Sequence, residues 1–89
     1  MTIVQNESIR TKADDDRILD NIAKFVLDSL GRPADFQRVH VRPLWGDHYR
    51  VNVLVGNDSM SVTIAHSYFL AVDEYGGILA STPAIARKY

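Results

Sequence analysis

Apolar and polar side chains alternate with a period of two across residues 36–82. In the first run of this stretch, Val39 and Val41 alternate with Arg38 and His40, and two further runs repeat the pattern. Successive side chains of a β-strand point to opposite faces, so this period predicts strands with one covered, apolar face and one open face. Antiparallel sheets commonly have one such face in water. We therefore predict an antiparallel β-meander of three or four strands over residues 36–82.

The first turn of the meander sets the pairing of its first two strands, because a shift of one residue exchanges the faces. A two-residue loop at 46–47 would place apolar side chains opposite charged ones, whereas a three-residue loop at 46–48 places Trp45 opposite Tyr49. We expect the three-residue loop. Pro43 has no N–H group to donate, so its strand is expected to be an edge strand or to be bulged there.

The second turn is predicted at Asn57 and Asp58, because both residue types tolerate the positive φ angles of a type I′ turn. This turn would place Tyr49 opposite His66 on the covered face. The apolar residues that it would add to the covered face are Met60, Val62 and Ile64. A third turn at 73–77 begins with an aspartate and has glycine at its left-handed position, which places Val72 opposite Ile78.

An amphipathic helix is predicted over residues 11–30, ahead of the meander. Its apolar residues recur at helical spacing, and they are Ile18, Leu19, Ile22, Phe25, Val26 and Leu30. Gly31 is expected to end the helix as a left-handed cap. The apolar stripe of the helix requires a surface of similar size, and the covered face of the meander provides one. The predicted fold is therefore α+β, with one N-terminal helix packed on the meander as a two-layer sandwich.

The length of 89 residues predicts a single domain, with a flexible arm at 1–10 and a tail at 83–89. The sequence has no cysteine, so disulfides and thiolate metal sites are excluded. It also lacks a signal-peptide pattern and any apolar run of about 20 residues, which favours a cytoplasmic protein without membrane contact. The net charge of −1 argues against nucleic-acid binding through overall charge.

The open face is predicted to be the most informative surface. Its candidate interaction residues are Arg38, His40, Arg42, Leu44, Arg50, Asn52, Leu54 and Phe69. Apolar side chains among arginines are typical of surfaces that bind proteins. We expect a protein partner, with a second copy of the chain as one candidate through this face or a sheet edge. The alternative is an anionic ligand or a nucleic acid bound by the arginines and the histidine. A solvated sheet face without a partner is the third interpretation.

A small-molecule site is a further alternative, in a pocket formed by Trp45, Tyr49 and His66 between helix and sheet. No serine or carboxylate is predicted to lie beside the histidine, so no catalytic residues are assigned and the protein is expected not to be an enzyme. The three histidines, His40, His48 and His66, are predicted to lie on different surfaces, so no metal site is assigned. The sequence contains no cofactor motif, and no cofactor is expected.

In the order of its predicted elements, the chain is similar to cystatin-like and PepSY-like α+β folds. The inhibitory loop motif of cystatins, QxVxG, is absent, because Gln5 and Gln37 lack its spacing. The α-β-β-β order also resembles the double-stranded-RNA-binding domain, a family with a second, basic helix after its strands. Few residues follow Pro83 in this sequence, so a second helix of that kind is not expected. These resemblances imply a fold and no particular function.

Overall fold

A computed structural model of the chain describes residues 12–58 and 60–89. Helix α1 precedes four strands, and the element bounds are Lys12–Leu30 (α1), Phe36–Pro43 (β1), His48–Val55 (β2), Thr63–Val72 (β3) and Ile78–Thr82 (β4). The strands form one antiparallel sheet in the order β1-β2-β3-β4. The prediction of an α+β fold with one helix on a meander is confirmed. The arm predicted at 1–10 and residue 11 of the predicted helix lie outside the described residues.

Helix α1 turns one apolar stripe toward the sheet. Ile18, Ile22, Val26 and Leu30 follow one another at intervals of four residues, and all four are buried. This spacing keeps them on one side of a helix with 3.6 residues per turn. Phe25 lies at the margin of the stripe and stays 44 % exposed.

Gly31 ends the helix as the sequence predicts. Its N–H donates to the carbonyl of Leu27 at 2.8 Å, and its φ angle is +93°. Glycine takes this left-handed conformation without the strain that a β-carbon would bring.

The covered face of the sheet completes the core beneath the helix. Its buried residues are Tyr49, Val51, Val53, Tyr68, Leu70 and Val72. All six lie on the two central strands, β2 and β3. Burying a valine or leucine side chain fully contributes about 1.5–3 kcal/mol, so the two central strands contribute a large share of the packing energy.

The β1–β2 hairpin has the predicted loop length at a different position. Leu44 N–H donates to the carbonyl of His48 at 2.9 Å, which leaves a three-residue loop at 45–47. Pro43 therefore lies opposite Tyr49, two residues from the predicted pairing of Trp45 with Tyr49. A shift of two keeps every strand residue on its predicted face. Pro43 lies on an edge strand, as predicted.

The pairing predicted for β2 and β3 is wrong. His66 lies opposite Val53, and Leu70 takes the predicted place of His66 opposite Tyr49. A longer connection at 56–62 replaces the two-residue turn. The register then shifts between Val53 and Leu54, because Ala65 is an extra, bulged residue on β3.

This bulge reverses the faces at the beginning of β3. Ile64 lies opposite Leu54 on the open face and is 58 % exposed, so its predicted place in the core is wrong. Met60 and Val62 belong to the preceding connection and are exposed as well. An alternation count along the sequence cannot reveal one inserted residue.

The β3–β4 turn matches its prediction. Asp73 Oδ1 accepts from the N–H groups of Tyr75 and Gly77, both at 2.8 Å. Gly76 has a φ angle of +89°, and Val72 lies opposite Ile78.

The tail at 83–89 has no regular secondary structure and lies against the helix end. Lys88 N–H and Tyr89 N–H both donate to the carbonyl of Leu30, at 2.9 and 3.1 Å. These bonds satisfy a carbonyl that the last turn of a helix leaves without an internal partner. Ile85 packs against the core.

Candidate functional site

The open face of the sheet is the side away from helix α1, and the strand pairing arranges its side chains in rows. From the β2–β3 connection downward the rows are Arg38 with Leu54 and Ile64; His40 with Asn52 and Ser67; Arg42 with Arg50, Phe69 and Thr82; and His48 with Ala71 and Ala80. Leu44 lies opposite His48, beyond the end of β1. The structure thus brings all eight predicted interaction residues to one surface.

Three aromatic rings come together at the lower end of this face, and we call Trp45, His48 and Phe69 the aromatic cluster. The His48 ring stacks on Trp45 and on Phe69, with centroid distances of 5.4 Å in both pairs. The rings of Trp45 and Phe69 are 5.8 Å apart. Trp45 is 63 % exposed although it takes part in both contacts. The cluster therefore presents a large apolar surface to solvent.

Trp45 was predicted for the covered face, and that placement is wrong. The three-residue loop begins at Trp45, so the alternation of β1 stops before it. Its ring then packs on His48 and Phe69, which both belong to the open face. The sequence interpretation assigned His48 to the turn and omitted it from the site. His48 continues the alternation of β2, in which Tyr49 faces the core and Arg50 the open side, and this pattern could have placed it on that strand.

A chain of hydrogen bonds fixes the middle of the open face. The Ser67 hydroxyl donates to Asn52 Oδ1 at 2.7 Å, and Arg50 Nη1 donates to the Ser67 hydroxyl oxygen at 3.4 Å. The three residues lie on β2 and β3, so the bonds cross between the central strands. This arrangement holds the guanidinium group of Arg50 above the sheet, next to Phe69.

The charge of the open face is of one sign. Arg38, Arg42 and Arg50, which we call the arginine group, are exposed, and no aspartate or glutamate lies on the open face of the described strands. Within residues 12–58 and 60–89, no ion pair joins the arginine group to a carboxylate. Guanidinium groups form strong, two-pronged hydrogen bonds with carboxylates and phosphates. The surface can therefore bind an anionic group without first breaking an ion pair.

Two predicted face residues are less exposed than an open surface implies. Leu54 is buried, at 9 % exposure, although it lies outside the core beneath the helix. Phe69 is half-buried because it stacks within the aromatic cluster. The apolar surface available at this face therefore comes from Trp45, Leu44 and Ile64 more than from Leu54.

The three residues of the predicted pocket are not brought together. Trp45 belongs to the open face, whereas Tyr49 is buried in the core. His66 lies four residues from Leu70, the partner of Tyr49, which is about 13 Å along a strand. The predicted register placed Tyr49 beside His66, and its failure removes the basis for the pocket.

His66 instead contacts the end of the chain. Its Nε2 lies 2.8 Å from the Tyr89 hydroxyl, and its ring stacks near Tyr68 at a centroid distance of 6.4 Å. Burial raises the pKa of the Tyr68 hydroxyl above its ordinary value, and the nearby Tyr89 raises this pKa further. These contacts tie the tail to β3 and identify no reactive group.

A shallow apolar groove of about 210 Å³ runs between the helix and β4. Phe25, Leu79 and Ile85 contribute to its walls, and Leu79 is an extra residue that bulges from β4. Within the described part of the chain, no group of three metal-ligating side chains comes together. No helix among the described residues combines the length and the apolar character needed to cross a membrane.

Comparison of the chain with protein-family models, with curated proteins and with solved structures finds no match.

Proposed function

We propose that the chain is a non-enzymatic interaction module that binds another protein through the open face of its sheet. The observation that carries this proposal is the exposed aromatic cluster beside an arginine group that forms no ion pair with a carboxylate among the described residues. The proposal includes the sequence-based expectation that the protein acts in the cytoplasm.

The residue types of this surface are those that contribute most to binding between proteins. Tryptophan and arginine are enriched among the residues whose loss weakens an interface by 2 kcal/mol or more. Trp45 would be covered by an apolar side chain of the partner, and the neighbouring Arg50 is already oriented by Ser67. A side chain that is held in place before binding loses less conformational entropy when the complex forms.

The charge of the face indicates an acidic partner. In a face-to-face contact between two copies, the arginine group of one copy would meet that of the other, and like charges would oppose each other. A partner with carboxylates would instead form charge-assisted hydrogen bonds with the same groups. We therefore favour a different, acidic protein over the self-association that the sequence also suggested.

Site-specific photo-crosslinking in the source cells would test this proposal. A photoreactive amino acid at Leu44, on the open face, should give a discrete adduct with one protein. The same amino acid at Lys24, an exposed position of helix α1, is the matched control and should not give that adduct. Arg50→Glu should abolish the adduct from position 44. Equal adducts from both positions, or an adduct that survives Arg50→Glu, would contradict the proposal.

A second candidate function is binding of single-stranded nucleic acid. Exposed rings beside arginines can stack on bases while the guanidinium groups contact phosphates. The sequence pI of about 6.2 and the acidic residues of the helix argue against it, since they repel a polyanion. Titration with a labelled oligonucleotide at two salt concentrations decides the matter. Salt-dependent binding that Trp45→Ala weakens would favour this candidate over the protein partner.

A further inference from the structure

Strand β1 is an edge of the sheet that the described strands form, and the hydrogen bonds show which of its backbone groups point outward. Leu44 N–H donates to the carbonyl of His48, so these two residues form a hydrogen-bonded pair. Hydrogen-bonded and non-hydrogen-bonded pairs alternate along the hairpin from this point. In an antiparallel ladder, every second residue bonds to the neighbouring strand. Arg42, His40 and Arg38 therefore bond to β2, whereas Val41 and Val39 direct their N–H and C=O groups away from the sheet.

These outward groups have no backbone partner among the described residues. At the lower end, Pro43 is the next outward position and has no N–H group. The free ladder of β1 therefore offers donors at Val39 and Val41 and ends at Pro43. An extended segment could form a short antiparallel or parallel pair there, as in other proteins that bind peptides at a sheet edge.

The side chains of β1 determine what kind of segment fits. On the open face, Arg38, His40 and Arg42 are exposed in one line along the edge. On the other face, Val39 and Val41 are only half-buried at the margin of the core. Cross-strand neighbours share a face. A strand that fits beside β1 would therefore place carboxylates next to the exposed arginines and apolar side chains next to the two valines.

A second copy of β1 does not meet these requirements. If two copies pair antiparallel with Val39 opposite Val41, Arg38 lies opposite Arg42 of the second copy, and His40 lies opposite its equivalent. Like charges directly opposite each other destabilise a strand pair. Positive side chains on an edge strand are a known means by which proteins prevent self-pairing.

We propose that the partner of this module contributes an extended segment in which acidic and apolar residues alternate, and that this segment adds to the sheet as a fifth strand beside β1. This inference rests on the proposed function and specifies the partner of the same surface. The acidic residues lie against Arg38 and Arg42, and the apolar residues extend the core beyond Val39 and Val41.

Amide hydrogen exchange would test the added strand directly. The probe is a peptide of about eight residues that alternates glutamate with valine, a common strand length. The amides of Val39 and Val41 should exchange quickly in the free protein and at least about tenfold more slowly with saturating peptide. His40 and Arg42 are internal controls, because their amides already bond to β2 and should change little. Unchanged exchange at Val39 and Val41 would overturn the proposal.

Variants and altered peptides separate backbone pairing from charge attraction. Val41→Pro removes an outward N–H at an edge position that tolerates proline, and it should weaken peptide binding at least about tenfold. Val41→Thr keeps the N–H and should bind nearly as tightly as the wild type. A peptide with lysine in place of glutamate should not bind. Thermal unfolding of each variant checks that the fold is intact, and the exchange measurement on the wild type remains decisive if Val41→Pro does not fold.

The outcomes for this inference and for the proposed function can be told apart. If crosslinking from position 44 succeeds but the peptide fails to protect Val39 and Val41, the open face binds a protein and the added strand is wrong. If crosslinking shows no preference for the open face, the proposed function fails as well. Tight binding of the glutamate peptide that Val41→Pro leaves unchanged would indicate charge attraction alone and would also overturn the added strand.

Discussion

Two apolar side chains of strand β3 that the alternation pattern does not distinguish differ in burial. Leu70 is fully buried in the core, whereas Ile64 is mostly exposed beyond the bulge. We expect Leu70→Ala to lower the free energy of unfolding by about 2–5 kcal/mol, because it removes buried methyl groups and leaves a cavity. Ile64→Ala should change it by less than about 0.5 kcal/mol. Urea denaturation of both variants measures the difference, and similar losses would mean that the bulge at Ala65 is misplaced.

The Tyr68 hydroxyl predicts a pH dependence of stability. Burial raises its pKa above the ordinary value of 10.0, and Tyr89 adds to the rise. The unfolded chain therefore loses this proton at a lower pH than the folded chain does. The contribution to stability is complete below pH 10.0 and is lost as the pH rises toward the higher, folded-state pKa.

Tyr68→Phe removes this titrating group, so its free energy of unfolding should fall less steeply above pH 10.0 than that of the wild type. Denaturant titrations at a series of alkaline pH values give the two slopes. Parallel slopes would show that Tyr68 ionises with similar ease in the folded and unfolded states.

At the scale of elements, the end of helix α1 connects the helix to the tail. A β-carbon at Gly31 would lie 2.6 Å from the backbone carbon of Tyr89, and the residue already has a positive φ angle. Gly31→Ala should therefore cost more than the roughly 1–2 kcal/mol of left-handed strain alone. Gly46→Ala is the matched control, because its φ angle is also positive but no atom lies within 4 Å. Thermal unfolding should show the larger loss for Gly31→Ala, and equal losses would contradict the packing of the tail on the helix.

The elements also show how far the sequence predicts this fold. Alternation, the helical spacing of the apolar residues at 18–30 and Gly31 were sufficient for the helix, the strands and the two-layer arrangement. The pairing of β2 with β3 was not predictable, because it depends on the bulge at Ala65 and on a seven-residue connection at 56–62. Local turn propensity at Asn57 and Asp58 indicated a shorter turn, whereas the observed register places Tyr68 and Leu70 in the core, opposite Val51 and Tyr49.

At the scale of the whole molecule, the sequence was sufficient to predict the interaction face. This prediction depends only on which side of the sheet each residue lies on, and not on which residues pair. A shift of two residues between β1 and β2 left Arg38, His40 and Arg42 on the same surface. The aromatic cluster was not recoverable, since it requires the loop to begin at Trp45 and Phe69 to lie opposite Arg50. The start of the loop and the pairing of Phe69 with Arg50 both depend on the register. The alternation of side chains cannot distinguish registers that differ by two residues.

The same edge geometry predicts that one charge reversal strengthens the association of two copies. In antiparallel pairing of two β1 strands, Arg38 of each copy lies opposite Arg42 of the other, so Arg42→Glu turns two repulsive pairs into two attractive pairs. We expect the association of two copies to become stronger by about 2 kcal/mol, or roughly 30-fold in the dissociation constant. Sedimentation equilibrium of the wild type and the variant measures this change.

Two further variants test whether the position of the charge matters or only its sign. Lys24→Glu makes the same change in net charge on helix α1, away from the edge, and should leave association as it is in the wild type. The double variant Arg38→Glu with Arg42→Glu restores like charges across the pair and should return the protein to the weaker association. If Lys24→Glu dimerises as strongly as Arg42→Glu, the β1 edge is not the surface where copies meet. The arginines of β1 would then have no role in keeping the edge free for another chain.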